Sequence, residues 1–175
     1  MAKSLLLSSL IVFCTAIIES SILSNITFLL VVPDLILISS IYFSTLNGRL
    51  YGETNGLVSG LILDFITGAP LGMNCLYRVI IGYFFGLFSE SIIVTGIVMP
   101  MLTVGIATIG KRLMLILISL FYPKINLNIY GFISYEFLFE FIANVLLAPV
   151  IFKFLSFFKK TLSIKDTKEM VDNIA

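Results

Sequence analysis

Seven residues recur at a spacing of four, Gly48, Gly52, Gly56, Gly60, Asp64, Gly68 and Gly72, and they set one carboxylate at the end of a run of bare backbone. On a helix, steps of four advance about 40° per repeat, so Gly48 to Gly60 form a gently winding stripe without side chains. Stacked glycines let a neighbouring backbone approach within van der Waals contact, which makes this a seam for a partner or for another helix of the same chain. Asp64 then needs a donor. Arg78 is a candidate, because it shares a second four-residue spacing with Gly82 and Gly86. If the chain reverses near Leu71, Asp64 lies seven residues before the apex and Arg78 seven after it, at matching depth on antiparallel helices. An Asp64–Arg78 ion pair is expected, with Lys111 or Arg112 as the competing partner.

The other ionisable groups suggest little catalysis. Histidine is absent, which removes the commonest general base and the commonest transition-metal ligand. Asp34 and Asp64 fall in neighbouring apolar segments without the helix-embedded motifs of an intramembrane aspartyl protease. Glu19, Asp34, Glu136 and Glu140 all fall near segment ends, where interfacial solvation accounts for them. Glu136 and Glu140 are one helical turn apart and could receive Lys124 or a basic residue of a neighbour. Cys14 and Cys75 sit in apolar runs, far from any metal-ligand spacing, and read as small core residues. No catalytic residue, metal or cofactor is expected.

The elements that must position these residues are apolar segments. Hydrophobic residues make up 59% of the 175 positions and charged residues 12%, about half the roughly 25% of a soluble domain. With a mean hydropathy of +1.11, the solvent for this chain is lipid. Six segments are delimited: Leu5 to Leu23, Phe28 to Leu46, Leu50 to Ile66, Met73 to Phe88, Ile92 to Phe121 and Phe132 to Phe158. Their continuous rather than alternating apolar character selects helices over a barrel. The fold class expected is therefore an all-α membrane protein, a six-transmembrane-helix bundle forming one domain over residues 1–160, with a cytoplasmic tail over 161–175. The fifth segment is overlong, at about 45 Å for a hydrocarbon core of about 30 Å. A long tilted helix kinked near Pro100, with Lys111 and Arg112 snorkelling or paired, is expected in preference to a break at Gly110.

Basic residues fix an orientation. In a six-span arrangement Lys3, Arg49, Lys153, Lys159, Lys160, Lys165 and Lys168 lie on one side and Lys124 on the other, which puts both termini in the cytoplasm. A net charge of +1 gives no reason to expect nucleic-acid binding. The turn from Thr67 to Gly72 is explained by the backbone geometry of its proline and glycines.

Two stretches resemble the MreD family. One is Pro33 and Asp34 followed by the apolar run Leu35 to Ile38. The other runs from Gly56 through Gly60, Leu63, Asp64, Gly68 and Leu71 to Gly72, and is similar to that family's G-x3-G-x3-D-x3-G-x2-LG signature on the third span and its exit turn. Arg78, Lys111 and Arg112 have no counterpart in the pattern. The resemblance implies a non-enzymatic, multi-pass subunit of the bacterial cytoplasmic membrane that serves cell shape and peptidoglycan synthesis. It implies MreC as the foremost partner, then the MreB filament and the complex of RodA with a class B penicillin-binding protein. It also implies a fold similar to the substrate-binding subunit of energy-coupling-factor transporters. A vitamin-capture subunit is accordingly the alternative function, against which the first segment lacks an Ala-x-x-x-Ala motif around Ala16.

Overall fold

Pro33 and Asp34 open the helix around which the others pack. Proline offers no N–H, so the chain before it has no helical bond to continue, and the Asp34 carboxylate accepts the Leu37 N–H at 2.8 Å as an N-cap. In a computed structural model, residues 2–21, 31–89, 96–121 and 134–159 are described, and their regular structure is helical throughout. Six helices follow in order: α1 (Ala2–Ser21), α2 (Leu35–Asn47), α3 (Arg49–Thr67), α4 (Met73–Leu87), α5 (Val98–Phe121) and α6 (Tyr135–Ser156).

Glycine sets the boundaries. Gly48, at φ 90°, is the sole residue between α2 and α3; Gly68, at φ 66°, ends α3, and Gly72, at φ 94°, precedes α4. Each adopts a left-handed conformation that a side chain would strain. Gly96, at φ 87°, stands just ahead of α5. The fifth segment thus starts its helix at Val98 rather than Ile92, and Pro100 lies in the first turn, where its missing N–H forfeits no helical bond. The expected kink has no cause there, and α5 runs through Gly110 for 24 residues, about 36 Å. Residues 92–95, Lys124 and the tail over 161–175 lie outside the described residues.

Among the described residues there are six helices, but their lengths differ. Ser4–Ser21, Val98–Phe121 and Tyr135–Ser156 are long and apolar enough to cross a membrane, whereas α2 and α4 have 13 and 15 residues, about 20 and 22 Å. α2 is central: all ten residues from Ile36 to Thr45 are buried, packed against α1, α3, α4, α5 and α6. α3 and α4 form an antiparallel hairpin, and α5 pairs antiparallel with α6 through Thr108–Asn144 and Lys111–Glu140.

The distribution of side chains inverts that of a water-soluble protein. Ser8, Asn55, Ser59, Thr108 and Asn144 are buried, while Leu120 and Phe121 are 71% and 80% exposed. Such an exterior is stable only against hydrocarbon. Inside, polar bonds join helices in place of a hydrophobic driving force, since lipid is as apolar as the core. Ser8 donates to Asn55 Oδ1 between α1 and α3, and Ser44 donates to the Gly82 carbonyl between α2 and α4.

Candidate functional site

The glycine ladder and the ionisable residues resolve into two neighbouring structures. The first is the α3–α4 seam. A methyl group on Gly52 would overlap the Gly82 carbonyl; one on Gly56 would lie 2.6 Å from the Arg78 carbonyl oxygen; one on Gly86 would lie 2.6 Å from the Arg49 Cα. Gly60 meets the Cys75 backbone in the same way. Two helices therefore touch backbone to backbone, and α4 occupies the wall that a partner would otherwise use. A methyl group on Gly68 or Gly72 would meet nothing within 4 Å, so these two belong to the turn and not to the seam. Gly48 supplies the α2–α3 corner.

Asp64 closes this hairpin at its turn. Its carboxylate accepts the backbone N–H of Gly72 at 2.8 Å and of Asn74 at 3.0 Å, together with Asn74 Nδ2 at 2.8 Å. These amides belong to the first turn of α4, where Gly72 offers no side-chain cap, so a carboxylate on α3 serves as the cap of the next helix. Negative charge there also complements the positive end of the α4 dipole. The expected Asp64–Arg78 pair is corrected on this point: the amides at the start of α4 come within reach of Asp64 first, and Arg78 turns to another acid.

That acid is Asp34. Arg78 Nη2 donates to both Asp34 oxygens, at 2.9 and 2.8 Å, and the two side chains are 2% and 4% exposed. Lys111 Nζ reaches the same carboxylate at 2.7 Å and Glu140 at 2.6 Å. Asn144 Oδ1 accepts the Asp34 N–H at 2.9 Å and Asn144 Nδ2 donates to Thr108, while Glu19 accepts the Ile36 N–H at 3.1 Å. One cluster thus ties α1, α2, α4, α5 and α6 together at the N-terminus of α2.

Its depth follows from helix geometry. Lys111 lies ten residues before the end of α5 and Asn144 nine after the start of α6, about 15 and 14 Å along each helix. α2 therefore begins inside the bundle, below the ends of its neighbours. The interfacial solvation expected for Asp34 is corrected accordingly, because Asp34 is 3% exposed; Glu140 receives Lys111 of its own chain, and Glu136 is exposed. A carboxylate at such depth is tolerable because two cations and a helix N-terminus surround it. Arg78 also lies under the Tyr77 ring, 5.4 Å from its centroid, and Arg112 stacks over Phe137 at 5.4 Å.

Asn144 and Thr108 join the cluster without having been expected from the sequence. An asparagine isolated in the apolar run of α6 is the signal that points to them. Glu19 and Asp34 do fall at segment ends, but their inward direction depends on where α2 starts. Beside the cluster, an apolar groove of about 170 Å³ opens between α4 and α5, lined by Ile80, Phe84, Ile106, Gly110 and Met114 among others.

Comparison with known proteins adds one finding: the family model described as rod shape-determining protein MreD matches residues 1–158. No curated protein and no solved structure matches the chain.

Proposed function

Because the chain belongs to the MreD family of rod shape-determining proteins, we propose that it is a non-enzymatic scaffold subunit of the cell-elongation complex, embedded in the bacterial cytoplasmic membrane. Its role in rod-shape determination comes from the family, and the family match over residues 1–158 is the observation that carries the reading. In this reading the chain is multi-pass with both termini cytoplasmic, and the α2 N-terminus with its charge cluster faces the extracytoplasmic half. MreC is the foremost partner, and through it the scaffold joins MreB to the RodA and class B penicillin-binding protein complex. A single domain over 1–160 with a cytoplasmic tail over 161–175 belongs to the same proposal.

The geometry supports an adaptor in a specific way. Asp34, Asp64, Arg78 and Lys111 each engage another element of the same chain, so their chemistry holds helices in register. The seam glycines do likewise. Among the described residues, the apolar exterior is the largest surface left for a partner, and the basic residues assigned to the cytoplasmic side belong to the same proposal. The likeness to a vitamin-binding subunit is an expectation of the resemblance alone, and the groove between α4 and α5 has an apolar lining unsuited to orienting a polar vitamin.

Depletion in a growing rod-shaped cell tests the proposal. Rounding with mislocalised wall synthesis is expected. A growth defect rescued by an added vitamin, with cell shape kept, would replace the scaffold reading by transport.

A further inference from the structure

The amides at the start of α2 face two carboxylates, and only one of these has cations. Asp34 holds both Arg78 and Lys111, and Lys111 is shared with Glu140. Glu19, half-buried near the end of α1, accepts the neutral Ile36 N–H, and among the described residues no basic group comes within ion-pair distance of it. Three acids of this cluster, Glu19, Asp34 and Glu140, therefore share two bases. Arg112 stacks over Phe137, and Asp64 is held by the amides of α4.

An uncompensated negative charge at this depth is costly, and the neighbouring Asp34 carboxylate adds repulsion. A single proton removes both penalties. Asp34 and Glu140 would each break an ion pair by taking it, whereas Glu19 would break none and would keep its bond from Ile36, because one oxygen still accepts. We propose that Glu19 is a proton-binding site of the bundle, neutral at ordinary pH, and that among the three acids of this cluster it is the carboxyl open to modification by a lipid-soluble carbodiimide.

The surroundings make the assignment selective. Around Glu19 are Asp34 on α2, Arg78 on α4 and Lys111 on α5, with Glu140 of α6 joined through Lys111; α3 contributes the neutral Asn55 further along α1. On α1 itself, Ile17 and Ile18 are exposed to the lipid side, so an apolar reagent approaches through hydrocarbon. In the reaction the carboxyl proton moves to a carbodiimide nitrogen while the carboxyl oxygen adds to the central carbon. The resulting O-acylisourea rearranges to a stable N-acylurea, with no leaving group and no change of oxidation state. The proposal concerns the membrane-embedded bundle and does not depend on its partners.

The test uses the full chain in lipid vesicles treated with dicyclohexylcarbodiimide over a series of pH values, followed by peptide mass spectrometry and infrared spectroscopy. The expected result is an adduct on Glu19, none on Asp34 or Glu140, and a yield that falls as pH rises. Glu19→Gln mimics the neutral acid; it should retain the helical fold and lose both the adduct and a protonated-carboxyl C=O band. No such band lost in Glu19→Gln would mean that Glu19 is ionised, and the proton assignment fails whatever the adduct yield. The band without an adduct keeps the proton and rejects the modification.

Discussion

At the scale of single residues, the decisive event is the division of acids among donors. Asp64 lies at the turn, where the free amides of α4 are closest, and three of its hydrogen bonds go to Gly72 and Asn74. Asp34 lies at the start of a buried helix, where Arg78 and Lys111 converge. Double-mutant cycles separate the two assignments. Arg78→Leu alone should destabilise the bundle by about 3–5 kcal/mol, because it leaves a buried acid with one fewer cation. Asp34→Asn in the same chain should recover part of that loss, whereas Asp64→Asn should add its own cost of about 1–3 kcal/mol with little coupling. Unfolding of the purified variants in lipid measures both cycles. Coupling between Arg78 and Asp64 larger than that between Arg78 and Asp34 would return the pair that the sequence suggested.

At the scale of elements, the α3–α4 hairpin is set by what glycine lacks. Gly82→Ala drives a methyl group into the Gly52 carbonyl, and neither backbone can yield without separating the helices. Gly110→Ala is the internal contrast: Gly110 lies within α5 with open space around it. It should stabilise the protein by up to about 1 kcal/mol through helix propensity, while Gly82→Ala should cost about 1–3 kcal/mol through overpacking. Gly68→Ala has room for the methyl group but must hold φ at 66°, so a cost of about 1 kcal/mol is expected. Thermal unfolding in vesicles ranks the three. A Gly82→Ala variant as stable as wild type would dissolve the seam. The signature from Gly56 to Gly72 is thus a recipe for this hairpin: Gly56 and Gly60 admit α4, Asp64 caps it, and Gly68 and Gly72 make the turn. Leu71, 70% exposed, is the member of that stretch which the hairpin does not explain.

At the scale of the whole molecule, the inverted distribution of polarity directs assembly. α2 is short and buried on all sides, and its cap is held by α4, α5 and α6. Its insertion is therefore expected to require the later helices. Truncation after α4 should leave the α2 segment accessible to a membrane-impermeant thiol reagent at an introduced cysteine such as Ser40→Cys, while the full chain protects it. Equal protection in both would show that α2 is secured without the charge cluster. Orientation has its own readout: cysteines introduced in the tail over 161–175 should react only when the cytoplasmic side is opened.

Much of this architecture is legible in the sequence because its signals are local. Unbroken apolar runs specify helices in lipid, and their ends carry proline, glycine or a capping acid. Six segments correspond to six helices, and the ladder marks where backbones meet. Helix length at Pro33 and Gly96, and with it the depth of α2, is hidden because a continuous apolar run conceals a late start. The choice of ion pairs lies beyond the sequence for a deeper reason. A seven-residue symmetry about Leu71 fixes relative depth on two helices, whereas a salt bridge depends on which helix faces fall together among six. Only the packed bundle brings Asp34 of α2 beside Arg78 and Lys111, because positions 34, 78 and 111 share no sequence spacing and meet through the burial of a central helix.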